Sequence, residues 1–164
     1  SIRRQRQMCK ETDLEILESA HLLKLVYKYG GGALSTRTSS PKILPLDPSL
    51  ISATTNTRPE QINAAWRGRV FEDAVGTALR QIADELYYWR DRNLEVDYVL
   101  KIGKEIIAIE VKSGRPGKLS GLNAFKAKYP KAHLGIINWK QGRDILSQQS
   151  LEDLKTDPLK IVSL

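Results

Sequence analysis

Cysteine and histidine are nearly missing from this chain: its 164 residues include one cysteine, Cys9, and two histidines, His21 and His133. A single cysteine excludes an internal disulfide and fits a reducing, cytoplasmic setting. So small an inventory also excludes a zinc cage of Cys and His, and no Ser–His–Asp or Cys–His machinery is apparent. His21 falls on a stretch with helical spacing and has no second ligand nearby, while His133 opens an apolar strand; both read as structural. No apolar run approaches the roughly 18 residues of a membrane span, so no membrane is expected as a partner, and the Arg-rich start is not followed by the apolar core of a signal peptide. A nucleotide-binding P-loop is missing too. Gly114-x-x-Gly117-Lys118 follows a strand and precedes a helix, but the motif requires four residues between its glycines. ATP hydrolysis by this chain alone is therefore not expected. It opens on Ser1 rather than Met and is expected to be a processed or excised piece of something longer.

What is present is an ordinary globular composition with a basic excess. Twenty-six Lys+Arg against 19 Asp+Glu leave a net charge of +7, which favours polyanionic partners without identifying one. The length suits one domain and a small appendage. Leu14, Leu17, Leu22, Leu25 and Val26 recur at helical spacing after Asp13, a candidate N-cap, and predict a helix up to Tyr29, stopped by Gly30-Gly31-Gly32. Residues 1–40 are expected to be a helical segment and linker, and residues 41–164 the main domain. Lys42 to Asp47 reads as a short strand that Pro45 confines to an edge or a bulge.

A long helix is expected from Glu60 to Glu85, with Trp66, Val70, Phe71, Ala74, Val75, Ala78, Leu79, Ile82 and Leu86 on one wide apolar face. On the same wheel Asp73 points to solvent, and Glu72 falls at the margin of the buried face. A carboxylate there needs a partner; an arginine such as Arg69 would suffice. Leu86 to Arg90 is a short aromatic strand, Leu119 to Tyr129 a helix, Ala132 to Asn138 an apolar strand, Ser150 to Thr156 a short helix, and Leu159 to Leu164 a final strand or tail. The strand ending at Lys112, the helix and the strand at Ala132 form a βαβ unit.

The stretch Leu94 to Lys112 carries the chemistry. It reads as a hairpin on Gly103-Lys104, with Gly in the first position of a type II′ turn, so that opposite residues have numbers summing to 207. Alternation then puts Val96, Tyr98, Leu100, Ile102, Ile107, Ile109 and Val111 on a core face. Glu95, Asp97, Val99, Lys101, Ile106, Ala108, Glu110 and Lys112 share the other. Asp97 opposite Glu110 places two like charges ~5 Å apart at Cβ, which destabilises a sheet. A divalent cation would resolve the clash; an exposed face on which a Glu95–Lys112 pair and Lys101 dilute the repulsion would resolve it as well.

Helix-borne Glu72, then Asp97 on one strand and Glu110-Val111-Lys112 on its antiparallel neighbour, followed by a crossover helix and strand, resemble the PD-(D/E)XK nuclease superfamily. More narrowly, Lys42-Ile43 with Asp47, Gly68-Arg69-Val70-Phe71-Glu72, Tyr88-Trp89-Arg90, Glu95-Val96-Asp97 and Ile109 to Gly114 resemble an uncharacterised domain carried C-terminally by prokaryotic AAA-type ATPases. The match covers about Glu11 to Asn138 and is looser beyond. Val96 stands where the superfamily's name has proline. The resemblance implies an α/β fold, a restriction-endonuclease-like core whose central mixed sheet is flanked by helices. It implies a nuclease-like domain in which Asp97, Glu110 and the carbonyl of Val111 hold Mg²⁺ or Mn²⁺, Glu72 adds a ligand directly or through water, and Lys112 orients the attacking water. Arg90, Arg115 and Lys118 would touch phosphates, and Glu95 would position Lys112. Expected partners are nucleic acid, DNA ahead of RNA, and an ATPase module N-terminal to this chain. The alternative is a non-catalytic binding or targeting module of that ATPase. A winged-helix-like piece at the N-terminus is a third idea. Oligomeric state is not readable from the sequence.

Overall fold

A computed structural model describes residues 12–30, 39–47, 49, 63–114 and 119–162. Six strands form one mixed sheet: β1 (Leu23–Lys28), β2 (Lys42–Pro45), β3 (Glu85–Asp91), β4 (Leu94–Ile102), β5 (Glu105–Lys112) and β6 (His133–Asn138), in the order β2-β1-β3-β4-β5-β6. The two inner hairpin pairings and β1·β2 are antiparallel, whereas β1·β3 and β5·β6 are parallel. The helices are α1 (residues 12–19), α2 (Ala64–Arg80), α3 (Ser120–Lys128), α4 (Trp139–Ile145) and α5 (Gln148–Thr156), with a 3₁₀ turn over Pro158–Val162. This is a mixed α/β fold, a central mixed sheet flanked by helices.

Apolar patterning explains the layers. Phe71, Val75, Ala78 and Leu79 of α2 join Ile145 of α4, Leu151 and Leu154 of α5 and Ile161 over Tyr98, Leu100, Ile107, Ile109 and Val111. On the opposite face Leu122 and Phe125 of α3 cover Trp89, Val96, Val99 and Ala108. Both faces of the central hairpin are therefore buried, as in a sheet with helices on each side.

The hairpin turn forms as expected. Gly103 has φ +58° while Lys104 is not in the positive region, which fits a II′ turn rather than I′. The register also holds through Val99↔Ala108 and Lys101↔Ile106, but the pairing ends at Tyr98↔Ile109. The alternation does not hold throughout. On the β3 side the register shifts between Tyr87↔Val99 and Trp89↔Val96, so two residues of β4, Asp97 and Tyr98, oppose Tyr88 alone. That is a β-bulge, which adds a residue and resets the faces. Val96, expected beside Tyr98, lies instead with Val99 and Trp89 under α3. Val99 and Ala108, expected on a mixed face, are fully buried.

Four further expectations change. Residues 12–19 are helical, but His21 takes φ +58° and the chain continues as β1 rather than as helix to Tyr29. Leu23, Leu25 and Val26 are buried there, and β1 bonds to both β2 and β3, tying a stretch of the expected 1–40 segment into the sheet. α2 ends at Arg80 instead of Glu85, and its expected start at Glu60 lies outside the described residues. Trp139–Ile145, which had no expected element, is a helix started by a capping box of Asn138 and Gln141. Pro158–Val162 is 3₁₀, not a strand. Lys42–Pro45 is an edge strand as expected, and β5-α3-β6 is the parallel βαβ unit.

α3 lies hard against β4. A Cβ at Gly121 would sit 1.9 Å from the backbone oxygen of Glu95, so α3 can approach only with glycine there. Gly121→Ala should lower the urea midpoint by an amount equivalent to about 1–3 kcal/mol. Gly114→Ala, where a Cβ meets nothing within 4 Å among the described residues, should leave it nearly unchanged. Equal midpoints for all three proteins would contradict this packing.

Candidate functional site

α2 is shaped to bring a carboxylate to the sheet. Asn63 caps it, its side chain accepting from the Trp66 amide at 2.8 Å. Gly68, Glu72 and Gly76 recur every four residues and so share a face. A Cβ at Gly68 would meet Ser113 Oγ at 2.8 Å, and one at Gly76 would overlap the Tyr98 ring. The two glycines let the helix settle close to the sheet with Glu72 between them. Tyr98 Oη donates to the Glu72 carbonyl at 3.1 Å, Phe71 stacks on Trp139 with ring centres 4.1 Å apart, and Trp139 Nε1 donates to the Ser113 carbonyl at 2.6 Å. The helix is thus clamped at its start, middle and flank.

Between α2, β2 and the parting ends of β4 and β5 lies a cleft of about 1150 Å³ lined by Lys42, Trp66, Arg69, Glu72, Asp73, Arg90, Glu95, Asp97, Glu110 and Val111. Its carboxylates have unequal partners. Asp97 Oδ2 accepts from the Val111 amide at 2.8 Å. Glu110 Oε1 accepts from Lys112 Nζ at 2.5 Å, but Glu110 Oε2 is buried with no hydrogen-bond partner among the described residues. Glu95 is held by Lys42 Nζ at 2.6 Å and by the Arg90 guanidinium. Glu72 lies 3.6 Å from the same Lys42 ammonium. One donor is also orphaned: Trp66 Nε1 is buried and bonds to nothing.

Burial and mutual repulsion work in the same direction here. Burial, then the Asp97 charge, push Glu72 up to about 7 against the pull of Lys42. Burial raises Asp97 despite the Val111 amide, and burial followed by the Asp97 charge raises Glu110. Burial also opposes the charge on Glu95, yet Lys42 and Arg90 together keep its pKa below the usual range. Burial likewise opposes the Lys42 charge, and its carboxylate neighbours more than restore it.

Of the residues expected from sequence, Glu72, Arg90, Asp97, Glu110 and Val111 come together on this one cleft. Lys112 is not among the lining residues and reaches the site through Glu110. Arg115 and Lys118 lie outside the described residues. Glu95 does not pair with Lys112; it sits opposite Arg90 on β3 and bonds to Lys42. Glu72 is at the margin of the buried face as expected, but its partner is Lys42 rather than Arg69. Asp73, expected in solvent, is 8% exposed. The stripe it shares with Thr77 meets β2, where Thr77 Oγ1 donates to the Pro45 carbonyl at 3.0 Å. Sequence reasoning gave Lys42 no role at the site and put Trp66 on the apolar face of the helix rather than on the cleft it lines. The only signal for Lys42 was its place in the family-like stretch.

Two carboxylates suffice for Mg²⁺, which keeps much of its water shell. Hard oxygen donors, like charges pressed together and the orphaned Glu110 Oε2 suit such a cation. Among the described residues no group of three or more Asp, Glu, His or Cys is arranged to hold an ion. The lysines and the Val111 amide engage the carboxylates one by one instead.

The model of a family described as Domain of unknown function (DUF4143) matches residues 67–162, from the second turn of α2 to the final 3₁₀ turn. The chain belongs to the DUF4143 family. It is a domain associated with AAA-ATPase-containing proteins. The DUF4143 match contains Glu72, Asp97, Glu110 and Lys112 and leaves out β1 and β2, and with β2 Lys42. No curated protein and no solved structure matches the chain. Among the described residues no helix is long and apolar enough to cross a membrane.

The buried acid on α2 makes a stability prediction. Burial, opposed by Arg69, raises Asp73 to about 6. Its folded pKa exceeds its unfolded value, so its contribution is most favourable below about pH 4 and is lost as pH rises through 6. Asp73→Asn should therefore stabilise the DUF4143 chain by roughly 1–3 kcal/mol at pH 7.5, with the gain shrinking between pH 6 and pH 4. Urea unfolding across that range checks it; a variant less stable at every pH would contradict it.

Proposed function

We propose that this DUF4143 chain is a metal-dependent nuclease-like domain with a restriction-endonuclease-like core, hydrolysing phosphodiester bonds of nucleic acid, DNA ahead of RNA. The observation that carries this reading is the shared cleft of Glu72, Asp97 and Glu110, in which a buried Glu110 oxygen has no partner. An uncompensated buried carboxylate oxygen costs stability, and a bound cation offsets that cost.

Asp97, Glu110 and the Val111 carbonyl would hold Mg²⁺ or Mn²⁺, with Glu72 completing the set through water. Such an ion supplies a water acidic enough to attack at neutral pH and charge stabilisation at the phosphate. The chain's own groups do the rest. Val111 N–H fixes the Asp97 carboxylate in place. Lys112, held on Glu110, is one contact from the cleft and would orient the attacking water and offset charge on the phosphate. Arg69 and Arg90 also line the cleft, and Trp66 Nε1 is a buried donor with no partner among the described residues. These suit phosphate oxygens, contacts that position a strand without reading its sequence.

A second reading is a binding or targeting module serving an N-terminal AAA-type ATPase. It draws on Lys112, whose ammonium is turned to Glu110 and does not line the cleft. The two readings differ in turnover. With supercoiled and single-stranded DNA in Mg²⁺ or Mn²⁺, the domain attached to its ATPase should nick or degrade, and Lys112→Ala should lower the rate at least about 100-fold while leaving DNA binding intact. Binding by both proteins with no cleavage by either would support the targeting module and contradict the nuclease.

A further inference from the structure

The cleft holds a cation of its own before any metal enters. Lys42 comes from β2, an edge strand, and reaches across the cleft to α2 and β4. Its ammonium lies 2.6 Å from Glu95 Oε1 and 3.6 Å from Glu72 Oε1, and stands over the Tyr88 ring at 5.6 Å from the centroid. The side chain is 29% exposed, so the charge is only partly screened by water. Asp97 is within its electrostatic reach as well. Lys112 does for Glu110 what Lys42 does for Glu72 and Glu95.

We propose that Lys42 is a resident counter-cation of the carboxylate cleft, occupying in the metal-free protein part of the charge balance that a divalent ion takes over, so that ion entry competes with the Lys42 ammonium. The inference rests on the metal reading above and adds a residue that the family match does not contain. Three observations support it. Glu95 already has Arg90, so Lys42 is not required to satisfy it. Glu72 has no other ion-pair partner among the described residues, so it depends on Lys42 until another cation arrives. The strand carrying Lys42 pairs on one side only, with β1, and an edge strand can shift its end at little cost to the rest of the sheet.

A fixed positive charge beside a cation site opposes the incoming ion, and removing it strengthens binding. Calorimetric titration of Mn²⁺ into the 164-residue chain, Lys42→Met, Lys42→Gln and Lys42→Arg tests this directly, with thermal unfolding used to select the neutral variants that fold. Wild type should bind weakly, the neutral variants at least about tenfold more tightly, and Lys42→Arg within about threefold of wild type. Mn²⁺ affinity unchanged or weakened in a folded neutral variant, with wild type binding, overturns the competition and leaves the metal site standing. No binding by any of the proteins removes the metal site itself, and the inference with it.

Discussion

The register shift in β4 is the constraint on which the cleft depends. A regular strand would put Val96 and Tyr98 on one face and Asp97 on the other, beneath α3. Because Asp97 and Tyr98 together oppose Tyr88, Val96 turns under α3 with Trp89 and Tyr98 stays under α2. Asp97 is left at the step, where its carboxylate takes the Val111 amide of the neighbouring strand. Bulges that re-aim one side chain at the edge of a pairing are a recurrent device beside functional sites. The β4–β5 pairing ends at Tyr98↔Ile109, and Glu72, Asp97 and Glu110 line one cleft.

The burial around this point works against the charges it surrounds. A sheet covered on both faces is a good solvent for Leu100, Ile107 and Ile109 and a poor one for carboxylates. Asp97, Glu110 and Glu72 all have pKa values above the usual range, chiefly through burial, with the Asp97 charge adding to the rise at its two neighbours. Lys42, Lys112 and one amide relieve part of that cost, and Glu110 Oε2 is left over. Buried carboxylates with raised pKa values and incomplete compensation are candidates for ligand contact.

Much of this was legible in the chain itself. Leu94 to Lys112 disclosed its turn through Gly103 and its pairing through simple arithmetic, and Glu72, Asp97 and Glu110 were singled out by chemistry and spacing. Three things were not legible. Leu22, Leu25 and Val26 recur at helical intervals, but Leu25 and Val26 belong to β1 and Leu22 only precedes it, because a strand buried on both sides loses its alternation. The bulge leaves no mark in the sequence; with it, Trp89, Val96 and Val99 pack together under α3. The return of β2 over α2 buries Asp73 and delivers Lys42, and a contact so distant in sequence has no local signature. The bulge and the reach of Lys42 are tertiary in origin, whereas the Asn138–Gln141 capping box of α4 is a local signal that sequence reading passed over.

The central claim is that the carboxylates give up stability to hold a cation. Thermal unfolding of wild type and Glu110→Gln, with and without millimolar Mn²⁺, tests it most directly, because a ligand that binds only the native state raises the midpoint. Glu110 is mostly buried, its side chain 13% exposed, and its charge is disfavoured there. The metal-free variant should therefore melt higher than wild type, while Mn²⁺ should raise the midpoint of wild type alone. A variant that melts lower, together with a wild type indifferent to Mn²⁺, would mean that Glu110 is a structural partner of Lys112 and that the cleft is not a cation site.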